Sequence, residues 1–257
     1  MSATQIAVLT VAMLLTGAIG AITGGNSLIN VPLMIMVGMS SRAAVATNMF
    51  AVFFMTVSST VRFARDKLIS FELALPLCAL TAVASAIGAE LAVKLPEPIV
   101  KTIVGVSMGL LVAFMTLRPG STARSQSVPP TAAAAGFVLT FLLGIYGGLF
   151  SGGYTTLMTF LGVACFGLRM LESVALMKPV NLISCAAACV IFYSAGLIDF
   201  RVGIPLAAAN LVGGYWGARL AVRSSERLVR LLFLATVAGL ALKLLAYDVL
   251  YRALLAG

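Results

Sequence analysis

The sequence predicts an all-α polytopic membrane protein made of two inverted repeats, each a broken-helix hairpin followed by three transmembrane helices. Three observations support this prediction. The 257 residues are 61% hydrophobic and only 10% charged, whereas soluble domains carry about 25% charged residues. Several apolar runs approach or exceed the roughly 18 residues that indicate a membrane span. A double glycine interrupts an apolar run near the start of each half of the chain.

The first half begins with an apolar run, about residues 6–22, that ends at Gly24-Gly25 and resumes at residues 28–37. The resumed piece is too short to cross a hydrocarbon core of about 30 Å at about 1.5 Å per residue. We therefore expect either a hairpin that enters and returns or one full and one partial helix. The three spans that follow are predicted at residues 43–61, 71–93 and 99–117.

A polar segment separates the two halves. It is rich in Pro, Gly and Ser, which marks it as a linker. The predicted divisions are therefore a first transmembrane repeat at 1–117, a linker at 118–131 and a second repeat at 132–257. In the second repeat, the double glycine Gly152-Gly153 separates apolar residues 132–150 from 157–166, and spans are predicted at 171–195, 202–222 and 228–250.

The two halves match each other when 129 is added to the first. This offset carries Leu68-Ile69-Ser70-Phe71 onto Leu197-Ile198-Asp199-Phe200. It also carries Pro76 onto Pro205 and Gly88-Ala89 onto Gly217-Ala218, while the glycine breaks align at 128. Several matches in nearly one register indicate an internal duplication.

The distribution of Lys and Arg predicts the orientation. If each half contains a hairpin and three spans, the number of crossings is odd and the halves are inverted. One side of the membrane then receives ten basic residues: Arg62, Arg65, Lys67, Arg118, Arg124, Arg169, Arg219, Arg223, Arg227 and Arg230. The other side receives six: Arg42, Lys94, Lys101, Arg201, Lys243 and Arg252. Cytoplasmic loops carry the excess of basic residues, so the first side is predicted to be cytoplasmic, with both termini outside. If each broken run were instead a single crossing, each side would receive eight basic residues, and the counts would predict no orientation.

Inverted repeats with broken helices are typical of secondary transporters, whose sites lie where the breaks meet. The free N–H groups and the dipole of a helix start favour an anion, and glycine lets the backbone approach it closely. We expect Asn26 and Ser27, and likewise Thr155 and Thr156, to cap the short helices. The alternative is that the glycines only permit close helix packing. The candidate substrate-binding residues at the breaks are Gly24, Gly25, Asn26, Ser27, Asn30, Gly152, Gly153, Tyr154, Thr155 and Thr156.

Four polar residues within the following spans complete the candidate site: Thr47, Asn48, Lys178 and Asn181. A lysine inside a membrane span is costly, and it points to function. Its alternative is that the long side chain extends to the cytoplasmic surface. Pro179 beside it removes a helix hydrogen bond and frees a carbonyl nearby.

Several function classes are excluded or disfavoured. The chain has no histidine, which removes the commonest general base and metal ligand. Cys78, Cys165, Cys185 and Cys189 all lie in apolar context, so we expect packing residues and no metal site. No nucleotide-binding motif is present, and we predict no cofactor and no enzymatic activity. The net charge of +9 lies mostly in short connectors, which indicates topology signals and lipid contacts rather than nucleic acid.

The double-glycine break followed by Pro32, the run from Gly38 to Thr47, and the Leu-Ile-x-Phe loop in each half together resemble the TauE/SafE family of sulfite and organosulfonate exporters. The resemblance covers nearly the whole chain, from about Ala7 to Leu245. In the second half, Leu161 stands at the offset of Pro32, and Ala175-Leu176 replace the Ala-Thr pair. A symmetric site is therefore not implied.

The resemblance implies a multi-pass protein of the bacterial inner (plasma) membrane that exports sulfite, sulfoacetate or a similar sulfur oxyanion by alternating access. Its partners would be this small anion and the lipid bilayer, and a homodimer is left open. Two alternatives remain. One is an importer or channel for another small anion such as thiosulfate, and the other is a non-transporting membrane assembly factor.

Overall fold

The computed structural model describes residues 1–100, 102–107 and 128–224, and these residues confirm the all-α class. The helices with full bounds are α1 (Ala3–Thr23), α2 (Ser27–Met36), α3 (Ser41–Arg65), α4 (Phe71–Lys94), α5 (Pro130–Leu149), α6 (Tyr154–Phe166), α7 (Met170–Ser194) and α8 (Phe200–Arg223). Residues 97–100 and 102–107 are also helical. The rest of the predicted span 99–117, nearly all of the linker 118–131, and the predicted span 228–250 lie outside the described residues.

Within the described residues, five helices are long and apolar enough to cross a membrane, namely α1, α3, α4, α5 and α7. The shorter apolar helices are α2 and α6, with 10 and 13 residues. The 24 residues of α8 include Arg201, Asn210 and Arg219, which make it less apolar than the other long helices. These lengths confirm a polytopic membrane protein.

Local chemistry determines where several helices begin and end. Ser2 and Gln5 form a reciprocal capping box at the start of α1. The Ser40 hydroxyl accepts a bond from the Ala43 N–H at the start of α3. At the end of α1, Gly24 has a φ of 76°, a left-handed conformation that glycine adopts without the steric cost of a Cβ.

Each broken run forms a hairpin. The Thr16 hydroxyl donates to Asn30 Oδ1 at 2.8 Å, although fourteen residues of continuous helix would separate these residues by about 21 Å. A Cβ placed on Gly136, near the start of α5, would lie 2.8 Å from the ring of Phe166, the last residue of α6. Each long helix is therefore followed by a short helix that returns along it, an arrangement that fits both the hairpin and the alternative of one full and one partial helix.

Glycines allow several of the long helices to pack backbone against backbone. A Cβ on Gly213 or Gly217 of α8 would overlap the carbonyl oxygen of Leu14 or Ala18 of α1. The same holds between α4 and α5, where a Cβ on Gly88 would overlap the Ile145 carbonyl oxygen. Small residues at such contacts are the usual means of helix association in membranes. The contacting residues follow each other in the same order in both helices, Leu14 with Gly213 and Ala18 with Gly217, so α1 runs parallel to α8.

Other contacts give the directions of α3 and α4. Arg42, at the start of α3, donates to the Val93 carbonyl oxygen near the end of α4 at 3.3 Å, so these consecutive helices are antiparallel. The Asp199 N–H, which precedes α8, donates to Thr47 Oγ1 at 3.1 Å. Further along, a Cβ on Gly214 would lie 2.6 Å from the Met55 carbonyl oxygen. Helices α3 and α8 are therefore parallel, and α4 runs opposite to both.

Among the residues that the structure describes, the buried apolar side chains form two clusters. One contains Leu28 and Val31 of α2, packed with residues of α1, α3, α7 and α8. The other contains Tyr154 and Met158 of α6, packed with residues of α3, α4, α7 and α8. Each short returning helix contributes buried residues to one of these clusters, and Leu157 and Phe160 of α6 also pack against the first.

Candidate functional site

The two breaks contact each other directly. A Cβ placed on Gly24 would lie 2.6 Å from Thr155 Cβ. Beside this contact, the Thr156 hydroxyl donates to the Thr23 carbonyl oxygen at 2.6 Å. The end of α1 therefore rests against the first turn of α6, and residues 133 positions apart are joined at the centre of the molecule.

A buried polar cluster joins the two halves beside this contact. The hydroxyls of Ser27 and Ser151 are 2.8 Å apart. The Asn48 side-chain amide donates to Ser27 Oγ at 2.9 Å and reaches Ser151 Oγ at 3.5 Å. All three side chains are buried. Sequence reasoning identified Ser27 and Asn48 but missed Ser151, which precedes the second double glycine. The available signal was its correspondence at offset 128 to the polar residue Thr23.

Lys178 lies against the end of α1. Its side chain is 0% exposed, and Nζ donates to the Gly20 carbonyl oxygen at 3.0 Å. The same oxygen accepts the N–H of Gly24, so the ammonium sits at the partially negative C-terminal end of the helix. No carboxylate lies within ion-pair distance of Lys178 among the residues that the structure describes. Its extension to the surface, the alternative from the sequence, is wrong because the ammonium bonds to α1 inside the protein.

The expectation that side chains cap the two short helices is also wrong. The N-cap residues are Asn26 for α2 and Gly153 for α6, and neither makes a side-chain cap bond. Ser27, Thr155 and Thr156 lie inside the helices. The hydroxyls of Ser27 and Thr156 bond instead to the opposite half. Contacts between the breaks replace the local caps.

The remaining candidates divide between this centre and its surroundings. Asn26 Nδ2 lies 3.4 Å from Met55 Sδ, and Gly25 N–H points to Thr23 Oγ1 at 3.4 Å. Thr47 bonds to the Asp199 N–H and is not part of the serine–asparagine cluster. Asn181 Oδ1 lies 3.7 Å from the sulfur of Cys185, one turn further along α7. A Cβ on Gly152 would overlap the Phe150 ring and lie 3.0 Å from Leu28.

Several buried polar atoms of the described residues have no hydrogen-bond partner. They include Asn30 Nδ2 of α2, Asn48 Oδ1 and Thr60 Oγ1 of α3, and Asn210 Oδ1 of α8, whereas the hydroxyls of Tyr154 and Thr81 lie within hydrogen-bonding reach of each other. An unsatisfied buried polar atom costs about 1–3 kcal/mol, so such atoms usually meet a water or a ligand. Thr81 and Asn210, which correspond at offset 129, were not foreseen from the sequence.

The site offers polar hydrogens and one ammonium rather than metal ligands. Within the described ranges, no group of three or more His, Cys, Asp or Glu side chains could hold a metal ion. Hydroxyls, carboxamides and an ammonium are groups that bind the oxygens of a small anion.

Comparison with known proteins identifies the family. The model of the family described as sulfite exporter TauE/SafE matches residues 9–244. The chain is 26% identical over 241 residues to the "Probable membrane transporter protein ORF9" of Sinorhizobium, covering 94% of this chain and 92% of that protein.

Two further relatives have similar names. A "Probable membrane transporter protein" of Haemophilus influenzae is 26% identical over 215 residues, covering 82% of this chain and 83% of that protein. The "Probable membrane transporter protein YfcA" of Escherichia coli is 25% identical over 240 residues, covering 91% and 87%. No solved structure matches significantly. With the family model spanning most of the chain, this helical integral membrane protein belongs to the TauE/SafE family of membrane transporters.

Proposed function

We propose that this protein is an inner-membrane secondary transporter that exports a small sulfur-containing anion, such as sulfite, sulfoacetate or a related organosulfonate, by alternating access. The family description names sulfite export, and the relatives are named only as membrane transporters. The observation that carries the proposal is the buried Lys178 ammonium, for which the described residues supply no carboxylate.

An anionic substrate fits this ammonium for an electrostatic reason. A buried charge without a counter-ion is costly, and a small anion beside Lys178 would offset that cost. The bond to the Gly20 carbonyl oxygen uses one of the three ammonium donors. Ser27, Ser151 and the Asn48 amide add hydrogen-bonding groups between the two halves. A neutral substrate could accept a hydrogen bond from the lysine but would not neutralise its charge.

Alternating access requires two halves that move against each other, and the helix directions support an inverted arrangement. Helix α4 corresponds to α8 at offset 129 and runs opposite to it. Helix α1 runs parallel to α8, whereas its counterpart α5 runs parallel to α4. Corresponding helices thus point in opposite directions, as in transporters whose site lies between inverted repeats. The bonds Ser27–Ser151, Thr156–Thr23 and Lys178–Gly20 all cross between the halves.

The membrane potential is the expected driving force. An inside-negative membrane drives an anion outward with about 2.3 kcal/mol per elementary charge per 100 mV. Four acidic residues of the described helices, namely Glu72, Glu90, Glu172 and Asp199, lie at or near helix ends rather than mid-membrane. We therefore expect electrogenic export that follows the potential and depends little on a pH gradient.

The test is flux of a fully ionised sulfonate in proteoliposomes, with the potential and the pH gradient clamped separately. Flux that follows the pH gradient and ignores the potential would contradict potential-driven export. Inward movement of thiosulfate with no sulfonate export would favour the importer. A protein that moves neither anion and is not stabilised by either against heat would fit the assembly factor.

Replacement of Lys178 tests the site itself. Lys178→Met should fold normally, because it removes a buried charge. It should weaken sulfonate affinity about tenfold to a hundredfold, the scale of a lost hydrogen bond to a charged group, whereas Lys178→Arg should retain part of it. Lys94→Met is the matched control, because Lys94 is exposed and paired with Glu90. Unchanged affinity in Lys178→Met, measured by thermal shift, would remove the lysine from the site.

A further inference from the structure

A cavity of about 310 Å³ lies where the α3–α4 connector meets the start of α7. It is lined by residues 67–70 of the first half and by Leu168, Arg169, Glu172 and Leu176 of the second. We propose that this cavity is a loading site for the anionic substrate, which binds beside Lys67 before it reaches Lys178. The inference rests on the proposed function and adds a second anion site to it.

The cavity has an excess positive charge. Arg169 forms an ion pair with Glu172, 2.6 Å from nitrogen to oxygen, so these two charges largely offset each other. Lys67 adds a further cation and forms no ion pair with a described residue. Ser70, at the start of α4, makes no side-chain cap bond. Ser70 is itself part of the cavity lining.

The backbone at Lys67 indicates that the lysine has a function. Its φ is 55°, and it is the one non-glycine residue with positive φ among those described. The corresponding residue of the second half is Gly196, with a φ of 66°. Glycine adopts this conformation freely, whereas a residue with a Cβ is strained there. Strain maintained at a position where glycine would serve points to a role for the side chain.

The corresponding connector at the other end of the molecule has no cation at the position of Lys67. There Gly196 stands for Lys67, and Asp199 stands for Ser70. The Asp199 carboxylate accepts the N–H groups of Arg201 and Val202, so an acidic side chain occupies that helix start. Glu72 in the first turn of α4 corresponds to Arg201 in the first turn of α8, which offsets the difference between Ser70 and Asp199, so Lys67 is the residue that distinguishes the two connectors. This asymmetry suits loading from the Lys67 side, which the count of basic residues predicts to be cytoplasmic.

The cavity reaches nearly the depth of Lys178 along α7, although Leu176 and Lys178 face different sides of that helix. Its lining includes Leu176, which is 1% exposed and lies seven residues, or about 10 Å, along α7 from Arg169. Lys178 is two residues further, an additional rise of about 3 Å. Ile69 is the other buried apolar residue of the lining. Leu176 and Ile69 therefore close the cavity on its protein side, and they must move for an anion to pass.

The test uses sulfonate binding at low ionic strength, so that it does not depend on transport. The Lys178→Met protein should retain weak binding of a fully ionised sulfonate in the cavity. Adding Lys67→Gly should weaken that residual binding about threefold to tenfold, the scale of one exposed charge. Because glycine relieves the strain, this variant should unfold at the same temperature or higher, and adding Lys67→Arg instead should preserve binding. Adding Lys94→Gln, a charge change at the other end of α4, should leave it unchanged.

The outcomes separate this inference from the proposed function. Two outcomes would overturn the loading site even if the unmodified protein exports sulfonate. In one, the Lys178→Met protein shows no residual sulfonate binding. In the other, it does bind, but adding Lys67→Gly leaves that binding unchanged. Residual binding that depends on Lys67 supports the site even if proteoliposomes show no export. In proteoliposomes that do export, Lys67→Gly alone should raise KM with little change in kcat, and high salt should abolish the difference.

Discussion

The Lys178 ammonium illustrates how one residue meets two electrostatic requirements. Bonded to Gly20, it offsets the partial negative charge at the end of α1. It also supplies a buried positive charge beside the end of α1, where the first break begins. The residue of the first half that corresponds to Lys178 at offset 129 is the apolar Met49. The two halves therefore do not contribute equally to the candidate site, although they share an architecture.

The serine pair between the halves gives the first residue-scale prediction. Ser27→Ala and Ser151→Ala should each weaken sulfonate affinity by about 1 kcal/mol. The double variant should lose less than the sum, because the two hydroxyls share one bond. Sulfonate-induced thermal shifts measure both effects.

A second buried serine pair provides the control. Ser85 and Ser184 are 2.7 Å apart between α4 and α7, and neither belongs to the breaks. Ser85→Ala should lower the unfolding temperature about as much as Ser27→Ala does, but it should not change sulfonate affinity. If Ser27→Ala and Ser85→Ala affected affinity equally, the pair at the breaks would have only a structural role.

At the scale of elements, the junction of α1, the break and α2 depends on a glycine in contact with the opposite half. Gly24→Ala places a Cβ at positive φ and also against Thr155. The strain should cost about 1–2 kcal/mol, and the overlap should add about 1–3 kcal/mol. We therefore expect a large loss of stability and no export, measured by thermal unfolding and by flux.

Gly196→Ala separates strain from contact. Gly196 also has positive φ, but a Cβ there would meet nothing within 4 Å. Its substitution should therefore cost only the strain and leave sulfonate export measurable. Equal losses of stability in Gly24→Ala and Gly196→Ala would show that the contact between the breaks contributes little.

At the scale of the whole molecule, the helix directions place the basic residues in two groups. Because α3 runs parallel to α8, their ends at Arg65 and Arg223 lie on the same side. Arg42 and the end of α4 lie together on the opposite side. For the residues that the structure describes, these two groups of basic residues are the same as the two sides of the membrane predicted from the Lys and Arg counts.

Topology reporters test the orientation. Fusions in the loop at Lys67, in the linker at 118–131 and after Arg223 should report cytoplasm, and a fusion in the loop 196–199 should report periplasm. The reason is the excess of basic residues on the first side. Opposite signals at Lys67 and Arg223 would contradict the parallel run of α3 and α8. A periplasmic signal at both would reverse the orientation and place the loading site outside.

Most of the fold could be predicted from the sequence because it depends on local properties. Apolar runs indicated the long helices to within a few residues, as with the predicted span 71–93 and the observed Phe71–Lys94. The double glycine at Gly24-Gly25 marked the break, since glycine permits the left-handed backbone that ends α1. The internal match at an offset of 129, which predicts a duplication, could be read from the spacing of residues along the chain. Such features need only neighbouring residues to determine them.

The partners of the polar side chains could be found only in the tertiary structure. Lys178 and Gly20 are 158 residues apart, and Ser27 and Ser151 are 124 apart. No spacing along the chain encodes such pairs, because they depend on how helices of the two halves pack. For the same reason local capping was predicted at Ser27 and Thr156, whereas their hydroxyls bond across the molecule. Local patterns thus determine where the helices break, and the packing of the two halves determines which side chains meet there.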